Sequence, residues 1–77
     1  MVEAYVLIET DIGKPPRVAA ELGRIPGVSA ADVLTGPYDV IVRAEAPDFD
    51  ALGKLVLTKI QAVEGVSRTL TCPVVQL

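Results

Sequence analysis

Strand, helix, strand, and then the same order again: the chain reads as a single α+β domain of the ferredoxin-like, split βαβ kind. Three observations carry that expectation. The first is an internal echo, in which Ile25-Pro26-Gly27-Val28-Ser29 and Val63-Glu64-Gly65-Val66-Ser67 each close an amphipathic run at a Gly-Val-Ser corner. The second is that a strand-like run stands before each amphipathic run and another follows each corner. The third is size. The 77 residues hold no linker and no low-complexity tract, so residues 1–77 make one small domain. Because this fold hosts many unrelated activities, function has to be read from particular residues.

Each element has its own signal. In the first strand, residues 2 to 9, Val2, Ala4, Val6 and Ile8 take one face and Glu3, Tyr5, Leu7 and Glu9 the other. That second face is mixed instead of polar, so something is expected to pack on it. Asp11-Ile12-Gly13 reads as a turn, and Lys14-Pro15-Pro16 leads into the first helix, where proline is tolerated because the first-turn amides lack helical partners anyway. Val18, Leu22 and Ile25 form its apolar face, Arg17 and Glu21 are spaced for an ion pair, and Pro26-Gly27 stops it. Strands follow at 28 to 35 and 38 to 46, separated by Gly36-Pro37. Pro47-Asp48 opens the second helix, with Asp48 as N-cap and Phe49, Leu52, Val56, Ile60 and Val63 as its stripe. Leu55 and Leu57 widen the apolar surface further. Gly65 is a candidate C-terminal cap, and the last strand runs from about Val66 to Val75, with Pro73 assigning it to a sheet edge.

Composition excludes several classes of function. Hydrophobic residues make up 51% of the chain and mean hydropathy is +0.46. Yet no run approaches the roughly 18 apolar residues of a membrane span. The early acids and Lys14-Pro15-Pro16 are wrong for a signal peptide. A non-membrane chain this apolar is expected to bury its excess against copies of itself, as a homo-oligomer. Net charge is −3, with the seven Lys and Arg scattered singly, so no direct nucleic-acid contact is expected. Histidine is absent and Cys72 stands alone. No conventional metal-ligand set and no imidazole-based triad is present, and a cytoplasmic, non-enzymatic protein without a cofactor is expected.

Two segments remain that could bind a ligand. Gly36-Pro37-Tyr38-Asp39 combines an open turn with a phenol and a carboxylate, enough to hold a zwitterion through amides and acceptors. The alternative is a plain turn in which Tyr38 packs and Asp39 caps backbone amides. On the last strand Thr69 and Thr71 share a face, their hydroxyls about 7 Å apart. Threonine is equally at home as a simple strand former. Ser29 and Ser67, at the corners, are expected to satisfy local backbone, and Asp48 and Asp50 to favour a helix dipole.

Taken together, Gly-x-Tyr-Asp at 36 to 39 and Gly-Val-x-Arg-Thr-x-Thr at 65 to 71 resemble the C-terminal ligand-binding domain of the Lrp/AsnC family of transcriptional regulators, the RAM domain. The resemblance runs over essentially the whole chain. It implies a four-stranded antiparallel βαββαβ protomer that dimerises sheet to sheet, in the manner of dimeric α+β barrels, and assembles further. It also implies an amino acid or related small metabolite bound between dimers, with Gly36, Pro37, Tyr38, Asp39, Thr69 and Thr71 in the ligand-contact regions. Family members carry an N-terminal helix-turn-helix, whereas this chain opens at the first strand of the ligand domain. A stand-alone module is therefore expected, acting on transcription or metabolism through partners, full-length Lrp/AsnC-type regulators among them. The competing readings are a small dimeric α+β barrel enzyme, limited to Asp39, Asp32 or Tyr38 for acid–base work, an ACT-type domain, and an oligomerisation module with a vestigial pocket.

Overall fold

The computed structural model describes residues 1–11, 13 and 15–77. Its elements are β1 (Val2–Thr10), α1 (Pro15–Leu22), β2 (Val28–Val33), β3 (Val40–Ala46), α2 (Phe49–Leu55) and β4 (Val66–Pro73), with α2 running directly into a π-helical turn at Val56–Ile60. Of the turn expected at residues 11 to 14, Ile12 and Lys14 lie outside the described residues. The strands form an antiparallel sheet ordered β2-β3-β1-β4, as the ferredoxin-like reading requires. β4 is an edge strand, and Pro73, with no amide to donate, closes it.

Strict alternation along β1 and β3 builds the core. Ala4, Val6, Ile8, Val40, Val42, Ala44 and Ala46 point to the helical side and are buried. Val18, Ala19 and Leu22 of α1 cover them, with Leu52 and Val56 of α2 and Ile60 of the π turn. Fully buried side chains such as Ile8, Leu22 and Ile60 contribute about 1.5–3 kcal/mol each relative to exposure. No polar or charged residue is buried among those described.

The two corners of the sequence echo have one geometry. Val28 N donates to Ile25 O at 3.0 Å, and Val66 N to Val63 O at 3.2 Å. Gly27 and Gly65 both adopt φ +99°, a left-handed conformation that side chains resist. The absent Cβ also leaves room: at Gly65 it would stand 2.9 Å from Val18 Cγ2, and at Gly27 3.1 Å from Leu55 Cδ2.

Several boundaries differ from the expected ones, each for a local reason. α1 ends at Leu22, and i to i+3 bonds from Arg24 N to Glu21 O and Ile25 N to Leu22 O carry the chain to Pro26 in a tighter turn. β2 stops at Val33 and β3 starts at Val40, because Leu34 N donates to Asp39 O across a wide turn. Tyr38 and Asp39 therefore belong to the loop. Beyond Pro73 the chain makes one further ladder-like bond, Val74 N to Glu3 O.

The expected stripe of the second helix needs one correction. Leu52, Val56 and Ile60 are buried, but Phe49 is 63% exposed. At the first helical position after the Asp48 cap it projects beside the stripe, not along it. Asp48 itself acts as expected, its Oδ1 accepting from Ala51 N at 2.8 Å. In the π turn Gln61 N reaches Val56 O at 2.9 Å, and Thr58 Oγ1 donates to Lys54 O, competing for the helix's own carbonyls.

On the side of the sheet away from the helices, the pairings line up Ile41, Leu7 and Leu70 in one row and Arg43, Tyr5 and Cys72 in the next. Tyr5 is 39% and Leu70 46% exposed. Arg43 hydrogen-bonds Glu3 and the Tyr5 hydroxyl and lies over the Tyr5 ring, 5.2 Å from its centroid. The Glu3 carboxylate, and next the Tyr5 oxygen, hold the Arg43 guanidinium above its ordinary pKa range. The mixed face read from the sequence is thus a bare apolar row bordered by charge.

Candidate functional site

α2 and its π turn carry a second series at four-residue spacing beside the core stripe: Phe49, Gly53, Leu57 and Gln61. This series stands over β4. Thr69 pairs with Ile8 and Thr71 with Val6, which places both threonines on the helical side of the sheet. A groove of about 420 Å³ lies between helix and edge strand. Phe49, Val56 and Leu57 form its apolar wall, and Thr69 and Thr71 its polar one.

Gln61 closes one end of this groove, its Nε2 donating to Thr69 Oγ1 at 2.8 Å. Beyond that bond lies a second cleft, of about 370 Å³, lined by Gln61, Val66, Ser67, Arg68 and Thr69. One side of the Gln61–Thr69 bridge is therefore largely apolar, and the other is lined by the polar residues Gln61, Ser67 and Thr69, with Arg68 at its border. Arg68 pairs with Glu9 on the face of the sheet away from the helices and its guanidinium reaches that carboxylate at 3.6 Å, so it stands at the border of the cleft. Thr69 Oγ1 accepts from Gln61 and keeps a proton to donate, and Thr71 Oγ1 makes no hydrogen bond among the described residues. The arrangement suits a small molecule with a polar head and an apolar tail.

The other candidate segment stands elsewhere. Gly36, with φ +135°, and Pro37 form the exposed tip of the β2–β3 loop, and Tyr38 is half-buried. Asp39 Oδ2 accepts from Thr10 N at 2.8 Å and from Thr10 Oγ1 at 3.2 Å. The backbone-capping reading of Asp39 therefore holds for one carboxylate oxygen. β1 separates this loop from β4, two strand spacings or about 10 Å. Gly36 to Asp39 and Thr69 with Thr71 share one end of the sheet but line no common cavity within the chain.

Other readings also find their places. Ser29 Oγ donates to Arg43 O and Ser67 Oγ to Glu9 O, backbone roles across strand pairs. Among the described residues no cluster of His, Cys, Asp or Glu could hold a metal, and no helix is long and apolar enough to cross a membrane. Phe49, Leu57 and Gln61 were not singled out from the sequence as site residues. Their strict spacing of four was the available signal, masked because Phe49 also fits the start of the core stripe.

Residues 3–76 match the family model of the Lrp/AsnC ligand binding domain. The chain is 32% identical over 71 residues to the HTH-type transcriptional regulator PF0250 of Pyrococcus furiosus, a match covering 88% of this chain and 47% of that protein. It thus spans about half the length of the curated regulators it matches. A 54-residue stretch, 70% of this chain, is 43% identical to 12% of a homocitrate synthase from Sulfurisphaera tokodaii. Among solved structures, the hypothetical protein PHS023 from Pyrococcus horikoshii superposes with a TM-score of 0.90 at 31% identity, covering 100% of this chain and 93% of that one. The transcriptional regulator NMB0573 from Neisseria meningitidis, solved as an L-Met complex, shares the fold at 23% identity and a TM-score of 0.84, over 97% of this chain and 50% of that one.

Proposed function

Since the chain belongs to the Lrp/AsnC ligand-binding domain family, we propose that it is an effector-binding module that takes an amino acid or a related small metabolite in the α2–β4 groove and its adjoining polar cleft. The observation that carries this reading is the Gln61–Thr69 bridge, which sets an apolar groove against a polar cleft. An amino acid has the matching halves. Its carboxylate would accept from the Thr69 and Thr71 hydroxyls, with Arg68 at the border of the cleft, and its side chain would lie against Phe49, Val56 and Leu57. The L-Met complex of NMB0573 supports the ligand class through the shared fold alone.

Protomers dimerise in this reading through the row of Ile41, Leu7 and Leu70. Higher assembly brings Gly36, Pro37, Tyr38 and Asp39 of a neighbouring copy over the groove, completing a site whose two parts stand apart within one chain. A ligand that contacts two copies favours their association by mass action. Output passes through partner proteins, full-length Lrp/AsnC-type regulators included, and not through DNA contacts, in keeping with the acidic charge. The match to a short stretch of homocitrate synthase is in keeping with a portable module found in an enzyme as well as in regulators. The lone exposed Cys72 fits a reducing, cytoplasmic setting.

A thermal-shift series against the proteinogenic amino acids tests this. One or a few should raise the melting temperature, and T69V/T71V should abolish the rise while melting like the parent. A parent protein indifferent to every amino acid would sink the effector reading in favour of a purely structural oligomerisation module. A double variant that responds like the parent would move the site elsewhere.

A further inference from the structure

The fold sorts the cations that the sequence scatters. Arg17, Arg43 and Arg68 are paired with Glu21, Glu3 and Glu9. Lys14 lies outside the described residues. The remaining three, Arg24, Lys54 and Lys59, have no ion-pair partner among the described residues, and all three line one groove of about 490 Å³ between the turn after α1 and the outer side of α2. The floor of that groove is apolar, formed by Ile25, Pro26 and Leu55. We propose that this groove docks an acidic, amphipathic segment of a partner protein, its carboxylates on the three cations and its apolar side chains on the floor.

The chemistry selects this occupant. A small inorganic anion would use the cations but leave the apolar floor uncovered, and no buried polar group points into the groove to fix one. A nucleic acid would need a longer positive track and an aromatic platform for its bases. The net charge of −3 opposes the first, and no aromatic residue lines the groove. An acidic amphipathic segment satisfies both surfaces at once.

The location fits an output surface. α2 and its π turn wall both grooves, with Phe49, Leu57 and Gln61 on one side and Leu55 and Lys59 on the other. A shift of this helix on effector binding would reach the basic groove directly, a consequence that rests on the effector reading. The docking itself does not, and is tested with no amino acid present.

The probe is a synthetic helical peptide with leucines on one face and glutamates flanking them, titrated into isotope-labelled protein and followed by amide chemical shifts. Shifts should map to residues 24 to 27 and 51 to 59. Affinity should fall about tenfold or more in R24Q/K54Q/K59Q, and should weaken with added salt as expected for exposed charges. All three residues are surface groups, so the variant should keep the parent's melting temperature and spectrum. A peptide with lysines replacing the glutamates should not bind. Docking is overturned if the acidic peptide causes no shifts, if the shifts fall elsewhere, or if the triple variant binds equally well. It is also overturned if inorganic phosphate or a short oligonucleotide binds at this groove while the peptide does not.

Discussion

Gly65 illustrates how much a single position can hold. Its φ of +99° is strained for any residue with a Cβ, and that atom would meet Val18 Cγ2 at 2.9 Å, inside the core. Gly65→Ala should cost about 1–3 kcal/mol from the backbone alone, with the Val18 contact adding to it. Gly36, at φ +135° with nothing within 4 Å, supplies the comparison. Gly36→Ala should carry backbone strain only. Denaturant midpoints check both variants, and a Gly65→Ala loss confined to the backbone range of about 1–3 kcal/mol would show that Val18 yields without cost. Asp39 is a residue of another kind, since one carboxylate oxygen anchors Thr10 and leaves Oδ1 for other work.

The second helix presents three sides, and its spacing-of-four rows separate them. Leu52, Val56 and Ile60 hold the core, Phe49, Gly53, Leu57 and Gln61 face the edge strand, and Ala51, Leu55 and Lys59 face the basic groove. Because Phe49 is 63% exposed, Phe49→Ala should cost less than about 1 kcal/mol, against about 3–5 kcal/mol for a core phenylalanine. The same variant should lose much of the amino-acid thermal shift. Urea unfolding decides the first point, and a large loss of stability would return Phe49 to the core. The strands, the corners and the Asp48 cap could be read from the sequence because alternation, Gly-Val-Ser and Asp48 act over a few residues, whereas Gly65, expected to cap the second helix, stands at the corner beyond its actual cap, Gln61. The groove could not, since it depends on which strand lies beneath α2. The π turn was hidden for a similar reason: it is a choice among backbone hydrogen bonds that leaves Val56 and Ile60 at ordinary helical spacing.

The whole molecule is a slab, 17 Å deep along its shortest axis, with helices on one side and a bare apolar row on the other. A second copy on that row would supply the missing cover. L7D/L70D should therefore shift the protein to monomers in size-exclusion chromatography with light scattering, with the protomer still folded, because Leu7 and Leu70 are absent from the helical core. A parent that runs as a monomer would remove the premise.

Pairing through the bare face would turn both helical layers outward, and the three grooves lie on that helical side or at its edge. Such a dimer would be divalent, with each proposed docking surface present twice and facing away from its twin. A partner that itself comes in pairs can engage both copies. The second contact forms at the high effective concentration set by the first. Weak attraction at a shallow groove would then suffice for a tight complex, through the number of copies and not the depth of any one pocket.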